Sequence, residues 1–284
     1  MAGPRNVGWA ALLLAATTAS MAAAPAHAGH DVFHIFTPVV EAEHWGVEAL
    51  SAYQWGLPAA EEEEGAPPRV ALELGVHAGV TEFWMAKLAL SADQEDGGEF
   101  ALTGIGFENV FRFSREARDP LDFAWFTAVG AGLDSGATNA VEFGPIVSVS
   151  SGSVSLVLNP FFEKTFGENR EDGIAFTYAG RLTYELASQL NVGIEAYGEV
   201  ENLGNAPHVR DQVHRIGPVL YLGTLHGAHS SSQRHSPHSH FSDEHDHEHA
   251  KHGHGEWHAE IGFLFGLTQA TPDAALKLNV GLEF

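Results

Sequence analysis

Apolar and polar residues alternate along most of this chain. In the final segment, AALKLNVGLEF, Leu276, Leu278 and Val280 share one face while Lys277 and Asn279 share the other. A period of two residues is typical of a β-strand, and about ten residues is the length of a strand that crosses a membrane. The same pattern recurs upstream in RVALELGVHAGV, IAFTYAGRLTYEL and EWHAEIGFLFGLT.

Alternating runs of this kind predict about twelve strands. Segments such as DQEDGG and DSGATN separate them and have the composition of turns. No long amphipathic helix interrupts the series, so the pattern indicates an all-β fold, either a barrel or a sandwich. The predicted strands lie near residues 44–56, 69–80, 82–92, 99–113, 121–133, 140–150, 152–164, 173–186, 190–200, 212–225, 256–268 and 274–284.

Two features favour a membrane barrel over a soluble sandwich, which remains the alternative. Aromatic residues stand at strand ends, as in the interfacial girdles of membrane barrels. The polar faces are rich in glycine, which suits a narrow and strongly curved lumen. The aromatic residues at strand ends are Trp45, Trp55, Phe111, Phe113, Tyr184, Trp257 and Phe284.

The prediction is a single closed antiparallel transmembrane β-barrel of about 12 strands with a disordered His-rich loop. Prolines inside strands remove a ladder hydrogen bond, so they count slightly against this fold. We expect Pro145 and Pro218, in the segments FGPI and IGPV, at bulges or strand ends near a rim.

The first 28 residues are typical of a secretory signal peptide. An apolar stretch follows Arg5 and ends in the A-x-A cleavage pattern at residues 26–28. The chain then divides into a signal peptide at 1–28 and a barrel at 29–284. The absence of cysteine from the sequence leaves no role for disulfides or sulfur-ligated metal.

The charge balance is strongly acidic, with 37 Asp and Glu against 14 Lys and Arg. Such a charge excess favours cations as partners and repels nucleic acid. We therefore expect no nucleic-acid partner.

The signal peptide, the alternating runs and the ending LKLNVGLEF together resemble the outer-membrane β-barrels of Gram-negative bacteria. A final Phe284 after alternating apolar residues resembles the signal read by the barrel-assembly machinery. Segments such as HRIGPVLY and FGLTQATPD are similar to porin-like or transporter-like envelope barrels, a likeness that names no activity. The resemblance covers residues 29–284 and implies export to the cell outer membrane, contact with its lipid and assembly by that machinery. The oligomeric state stays open.

Strand parity predicts where the His-rich loop lies. Outer-membrane barrels have an even number of strands and short periplasmic turns, so both termini face the periplasm. Counting back from Phe284, the last strand descends and the strand near 256–268 ascends. The loop 226–255, inserted between the antepenultimate and penultimate strands, is therefore expected on the periplasmic side.

This loop is rich in imidazoles and carboxylates, which suit Zn²⁺, Ni²⁺ or Cu²⁺. Many ligand combinations are equivalent, so the loop is predicted to be a flexible multi-site chelator that is disordered without metal. A solvated spacer, a partner-docking loop and, less strongly, a pH sensor are the alternatives. No cofactor is required. The candidate ligands are His226, His229, His235, His238, His240, His245, His247, His249, His252, His254, Asp243, Glu244, Asp246 and Glu248.

A weaker metal candidate is the mature N-terminus, GHDVFHIF. There His30 and His34, with the free amine of Gly29, could hold Cu(II) or Ni(II). The alternative is an ordinary frayed leader at the periplasmic side.

Charged residues on the polar strand faces are expected to line the lumen. If water fills the lumen, the excess of carboxylates favours cations. Alternatively the charges pair across an interior filled with side chains. The candidates are Glu73, His77, Glu108, Arg112, Glu142, Arg181, Glu185, Glu195, Arg215, Glu260 and Lys277.

These observations predict a passive, narrow channel or transporter-like barrel with a cation-favouring lumen and a metal-binding periplasmic loop. One alternative is a non-conducting structural barrel. Another is an outer-membrane lipid-modifying enzyme with His77 as the base. The sequence has no G-x-S-x-G motif and no Cys to supply a nucleophile, so we expect no enzyme.

Overall fold

The protein is a twelve-stranded antiparallel barrel. The computed structural model describes residues 32–56, 69–94, 98–114, 121–133, 137–167, 169–223 and 256–284. Every predicted strand is present, and each boundary lies within two residues of its expected place. The strands are β1 (Trp45–Trp55), β2 (Arg69–Thr81), β3 (Trp84–Gln94), β4 (Ala101–Arg112), β5 (Leu121–Gly132), β6 (Asn139–Ser151), β7 (Val154–Phe166), β8 (Ala175–Ala187), β9 (Leu190–Val200), β10 (Val213–Gly223), β11 (Glu256–Gly266) and β12 (Ala274–Glu283).

Each strand pairs with its neighbours in sequence, and β1 pairs with β12 to close the sheet. At the seam, Trp45 and Phe284 exchange backbone hydrogen bonds and their rings stack with centroids 4.5 Å apart. A closed sheet has no exposed edge, so every strand finds two partners. The predicted all-β closed barrel is confirmed.

Helical structure is limited to two short 3₁₀ turns, Leu203–Asn205 and Val209–Asp211. In the part of the chain that the structure describes, no helix is long and apolar enough to cross a membrane.

The outer surface of the barrel is apolar around the whole circumference. On β2, Leu74 and Val76 are 52% and 54% exposed, while the intervening Glu73 and Gly75 point inward. Leu278 and Val280 on β12 show the same exposure pattern. A continuous apolar exterior is stable in lipid rather than in water, where patches of this size drive association. The architecture is that of an outer-membrane β-barrel, as the resemblance implied.

The two ends of the barrel differ in the length of their connections. The terminal rim is the end at which β1 begins and β12 ends. Three connections there contain only two residues, namely 82–83, 152–153 and 188–189, whereas every connection at the opposite rim has at least six. Gly223 and Glu256, which flank the His-rich tract, lie at the terminal rim, where Gly223 pairs with His258 and Glu256 with Glu283.

The prolines depart from expectation. Pro145 and Pro218 lie in the middle of β6 and β10, and the register of their strands continues unshifted on both sides of them. The prediction of bulges or strand ends was wrong. Each proline keeps its backbone partner on one neighbouring strand, Trp125 and Ile194 respectively, and interrupts the ladder only on the other. The loss of one donor is thus tolerated without a change of register.

The interior holds an unexpected element, the N-terminal segment Val32–Val40, which we call the plug segment. It forms no strand, and Phe33, Ile35 and Phe36 are at most 5% exposed. They pack against inward residues of the wall, including Phe126 and Phe161. The segment was expected as a leader at the periplasmic side; instead its aromatic side chains are buried in the lumen, where they form the core.

Candidate functional site

The chain enters the lumen at the terminal rim. Glu43 donates from its backbone N–H to the carbonyl of Gly79 at 3.1 Å, and Gly79 donates to the carbonyl of His44 at 2.9 Å. A Cβ atom on residue 79 would lie 1.8 Å from the carbonyl oxygen of Glu41. Glycine is therefore required where the chain turns inward across β2.

One side chain of the wall holds the backbone of the plug segment. The Asn159 side chain accepts from the Phe36 N–H at 2.8 Å and donates to the Phe36 carbonyl at 3.0 Å. This satisfies both backbone groups of a residue that has no strand partner. The Phe36 ring packs against Phe126 with centroids 4.2 Å apart. The lumen is therefore occupied at this level by an element that is fastened to the wall but is not part of it.

The other end of the plug segment is also bound to the wall. Tyr197 donates its hydroxyl hydrogen to the carbonyl of Phe33 at 2.9 Å. The Arg215 guanidinium lies 4.6 Å from the centroid of the Phe33 ring, within cation–π range. Polar groups of the wall thus recognise an aromatic segment through its backbone and its ring faces.

The sequence-predicted lumen residues lie on the inward face. The most buried, each at most 7% exposed, are Glu73, Glu108, Glu142, Arg181, Glu195 and Lys277. The others are partly buried: His77, Arg112, Glu185, Arg215 and Glu260. Of these, Arg112 is paired with Asp122 at 3.4 Å, and Arg215 donates to Gln54 at 3.1 Å.

Two clusters of ion pairs cross the lumen, each centred on a lysine. In the Lys87 cluster, the ammonium lies 2.5 Å from Glu48, 2.7 Å from Glu73 and 3.2 Å from Glu108, so one cation serves three carboxylates from three other strands. Lys87 and these carboxylates are at most 8% exposed.

In the Lys277 cluster, two cations serve two carboxylates. Lys277 lies 2.8 Å from Glu195 and 2.8 Å from Glu260, and Arg181 lies 3.5 Å from Glu260. The Tyr221 hydroxyl donates to Glu195 at 2.8 Å, and the Tyr197 hydroxyl lies 2.7 Å from Glu195, so its single hydrogen is shared between that carboxylate and the Phe33 carbonyl. This cluster is balanced in charge and rich in donors.

His34 of the plug segment lies beside the Lys87 cluster. One of its ring nitrogens and one carboxylate oxygen each from Glu48 and Glu73 all lie within 4.8 Å of one another. Burial lowers the pKa of His34 to about 3, so its imidazole is neutral at physiological pH. A neutral imidazole beside two carboxylates is a donor set that can hold a divalent metal ion.

A cavity of about 150 Å³ adjoins His34 near the terminal rim. Its walls include His77 and His258 from the barrel and His44 from the entering chain. His77 lies 3.0 Å from Glu283, an ion pair that fixes the ring. The His77 side chain thus has a carboxylate partner at the rim. In the described structure no serine or threonine hydroxyl is hydrogen-bonded to it, as the base of a lipid-modifying enzyme would require.

An aromatic row crosses the outer surface from Trp125 on β5 to Tyr178 on β8. Tyr178 and His214 then meet across Gly198, with the hydroxyl 3.0 Å from Nδ1 of the imidazole. Rings of this kind are typical of the lipid interface. The girdle is thus continuous over these strands rather than confined to strand ends.

Several predicted site residues lie outside the described part of the chain. They are His30, the signal peptide at 1–28, and the whole His-rich tract with His226, His229, His235, His238, His240, His245, His247, His249, His252, His254, Asp243, Glu244, Asp246 and Glu248. Their predicted roles stay predictions.

The sequence interpretation missed the plug segment and its receptor. Asn159 stands in LNPFF, a polar residue between apolar ones, and VFHIF is an aromatic run just after the predicted cleavage site. An inward-facing amide and an apolar segment too short for a strand were the available signals.

Comparison with known proteins found distant structural similarity alone. No protein-family model and no curated protein matches the chain. Among solved structures, the NanC porin aligns over 84% of this chain and 98% of its own at 10% identity and a TM-score of 0.47. The KdgM porin covers the same shares at 9% identity and a TM-score of 0.44. The translocator domain of the autotransporter NalP from Neisseria meningitidis covers 85% of this chain and 87% of its own, at 12% identity and a TM-score of 0.46.

Proposed function

We propose that this protein is a narrow passive channel of the outer membrane, with a cation-favouring lumen that the plug segment closes in this conformation. The observation that carries the proposal is the plug segment itself. It lies in the lumen against both apolar and polar wall residues, and it is joined to them by side-chain contacts rather than by strand pairing. An element held in this way can leave without breaking the barrel.

The wall exposed by its departure would be acidic. The Lys87 cluster contributes three carboxylates for one ammonium, and Glu142 and Glu163 face the lumen from β6 and β7. Carboxylates lining a water-filled pore attract cations and repel anions. The preference for cations follows from this imbalance.

The proposed orientation places the terminal rim in the periplasm, because short connections face the periplasm in bacterial barrels. The His-rich tract at 226–254 then begins and ends on the periplasmic side, next to the rim through which the plug segment enters. We propose that it captures Zn²⁺, Ni²⁺ or Cu²⁺ there through imidazole and carboxylate. Export by the predicted signal peptide and assembly through Phe284 belong to the same proposal.

A second candidate function is a non-conducting structural barrel. The observation in its favour is the same closed lumen, with Phe36 packed against Phe126 and Phe161. The two candidates differ in whether the plug segment ever leaves.

Conductance in planar bilayers separates them. The full barrel should be mostly closed, and a variant lacking residues 32–40 should conduct with a reversal potential that favours K⁺ over Cl⁻. The exterior of the barrel is unchanged in this variant, so heat-modifiable migration on a gel verifies that it has folded. A folded deletion variant that does not conduct would establish the structural barrel instead.

The metal-binding part has its own test. Zn²⁺ titration of the full chain is compared with a variant in which all ten tract histidines from 226 to 254 are replaced by asparagine. Most of the bound zinc should be lost. Equal stoichiometry in the two proteins would remove the tract as the ligand source.

A further inference from the structure

We propose that a divalent transition-metal ion binds inside the lumen, between His34 of the plug segment and Glu48 and Glu73 of the wall. This site is distinct from the His-rich tract and from the channel activity proposed above. Its ligands come from the plug segment and from two adjacent strands, β1 and β2, so the ion would join the plug segment to the barrel.

The first support is the donor set. One imidazole nitrogen and two carboxylate oxygens approach within 4.8 Å of one another, and this is the only group of three or more such donors that the described residues form. Nitrogen and oxygen donors together suit Zn²⁺, Mn²⁺ or Ni²⁺ better than Mg²⁺ or Ca²⁺, which take oxygen alone.

The second support is charge. Lys87 is the only lysine or arginine that the described structure pairs with Glu48, Glu73 and Glu108, so one ammonium faces three carboxyl groups. Buried charges that lack compensation are strongly unfavourable. A divalent cation supplies the missing charge.

The third support is a set of buried polar atoms without hydrogen bonds. Among the described residues, Nδ1 of His34 and Oε1 of Glu108 are shielded from solvent and have no hydrogen-bond partner. Glu108 is 1% exposed and its other oxygen faces Lys87 at 3.2 Å. Buried polar atoms are normally satisfied, so the orphaned imidazole nitrogen of His34 indicates an absent ligand, and the orphaned oxygen of Glu108 is an unused acceptor beside Lys87.

The position of Lys87 decides how the ion is accommodated. Its ammonium contacts Glu48 and Glu73, the two carboxylates that would turn toward the metal. Glu108 is the third acceptor of Lys87, and it can retain the ammonium while Glu48 and Glu73 coordinate the ion. The adjoining cavity reaches from His34 toward the terminal rim and offers a route for a hydrated ion.

The Lys277 cluster serves as an internal control. Its two carboxylates face two cations and two tyrosine hydroxyls, so it has no charge deficit for a metal to fill. Glu195→Gln therefore changes a buried lumen carboxylate of the same type without touching the proposed ligands.

The test uses the full-length chain with the ten tract histidines and His30 replaced by asparagine, which removes the competing sites named above. Zn²⁺ is titrated by calorimetry, and Co²⁺ is added as a spectroscopic probe of its ligands. We expect one ion per barrel. Affinity should fall at least tenfold in His34→Ala and in Glu73→Gln, since even outer-shell partners of a metal contribute roughly tenfold or more. It should stay within about twofold in Glu195→Gln, because that side chain belongs to neither shell.

The proposal is overturned if the full-length tract variant binds no stoichiometric Zn²⁺, or if His34→Ala binds it as tightly as the parent. The pair of variants His34→Ala and Glu73→Gln guards against misfolding. His34 lies on the plug segment, so its replacement leaves the strand pairing and the ion pairs of the wall in place. Channel activity is measured separately, so a barrel that conducts but does not hold zinc would refute this site without refuting the channel.

Discussion

The two lysine clusters in the lumen are built from the same residue types but have different charge. Lys277 pairs with Glu195 and Glu260, Arg181 also pairs with Glu260, and the hydroxyls of Tyr197 and Tyr221 lie within hydrogen-bond distance of Glu195. Lys87 stands alone among Glu48, Glu73 and Glu108. The first cluster is complete without a ligand, whereas the second carries a surplus of negative charge.

This difference suggests two roles for buried charges within one barrel: the balanced cluster holds strands together, and the unbalanced cluster is the candidate for binding a cation. A balanced buried network holds strands together and leaves nothing to bind. An unbalanced one costs free energy that a cation, either passing or bound, can offset. The plug segment lies between the two clusters: Tyr197 of the balanced side holds the Phe33 carbonyl, while His34 faces the unbalanced side.

Removing each lysine in turn tests the difference in charge between the two clusters, and Lys87 should give the largest effect. Lys87→Met should lower the free energy of unfolding by about 4 kcal/mol, because it leaves three buried carboxylates without a cation. Urea unfolding of the refolded barrel in detergent measures the loss. Saturating Zn²⁺ should recover part of it, and a loss no larger than that of the Lys277 variant would contradict the assignment.

Lys277→Met should cost less, about 3 kcal/mol, because Arg181 still serves Glu260 and two tyrosine hydroxyls still serve Glu195. The same unfolding experiment applies. Here Zn²⁺ should give no recovery, and metal-dependent rescue equal to that of Lys87→Met would show that the two clusters are equivalent.

Loosening the plug segment should have a smaller effect on stability. Asn159→Ala removes two hydrogen bonds to Phe36, which together contribute about 2 kcal/mol. The segment should become more accessible, seen as faster hydrogen exchange at residues 33–36, while the barrel strands remain protected. Unchanged exchange at Phe36 would show that the Asn159 contacts do not hold the segment.

The smallest expected change in stability comes from replacing one carboxylate in each cluster by glutamine, and its sign should differ between the two clusters. Glu108→Gln replaces a buried acid that shares its only cation with two other carboxyl groups, so without metal it should raise stability by about 1 kcal/mol. Glu195→Gln weakens a satisfied carboxylate and should lower stability by about 1 to 2 kcal/mol. Changes of the same sign in both variants would contradict the difference in charge balance.

The strands, and the side of the sheet to which each side chain points, could be predicted from the sequence. The alternation of apolar and polar residues is a local pattern that can be read within one strand. In β2, the period of two residues alone placed Glu73 inward and Leu74 outward, and the structure agrees. The closing pair of strands followed from the same periodicity near Phe284. The prolines could not be placed, because the neighbouring strand that loses a hydrogen bond depends on the register of the sheet.

The site depended on contacts that local patterns do not encode. Lys87 meets carboxylates from three other strands, and which charges meet across a lumen depends on the diameter and shear of the barrel. VFHIF is too short and too uniformly apolar to show a period, so its burial inside the barrel could not be inferred from alternation.

The chain contains no cysteine, which permits a direct test of the plug segment as the closing element. Phe36→Cys and Asn159→Cys are combined and cross-linked by oxidation. Conductance is recorded before and after reduction, with Asn159→Cys alone as the control. We predict a silent barrel when cross-linked by a disulfide and a cation-selective pore on reduction. Equal conductance in the two states, with cross-linking verified, would contradict closure by this segment.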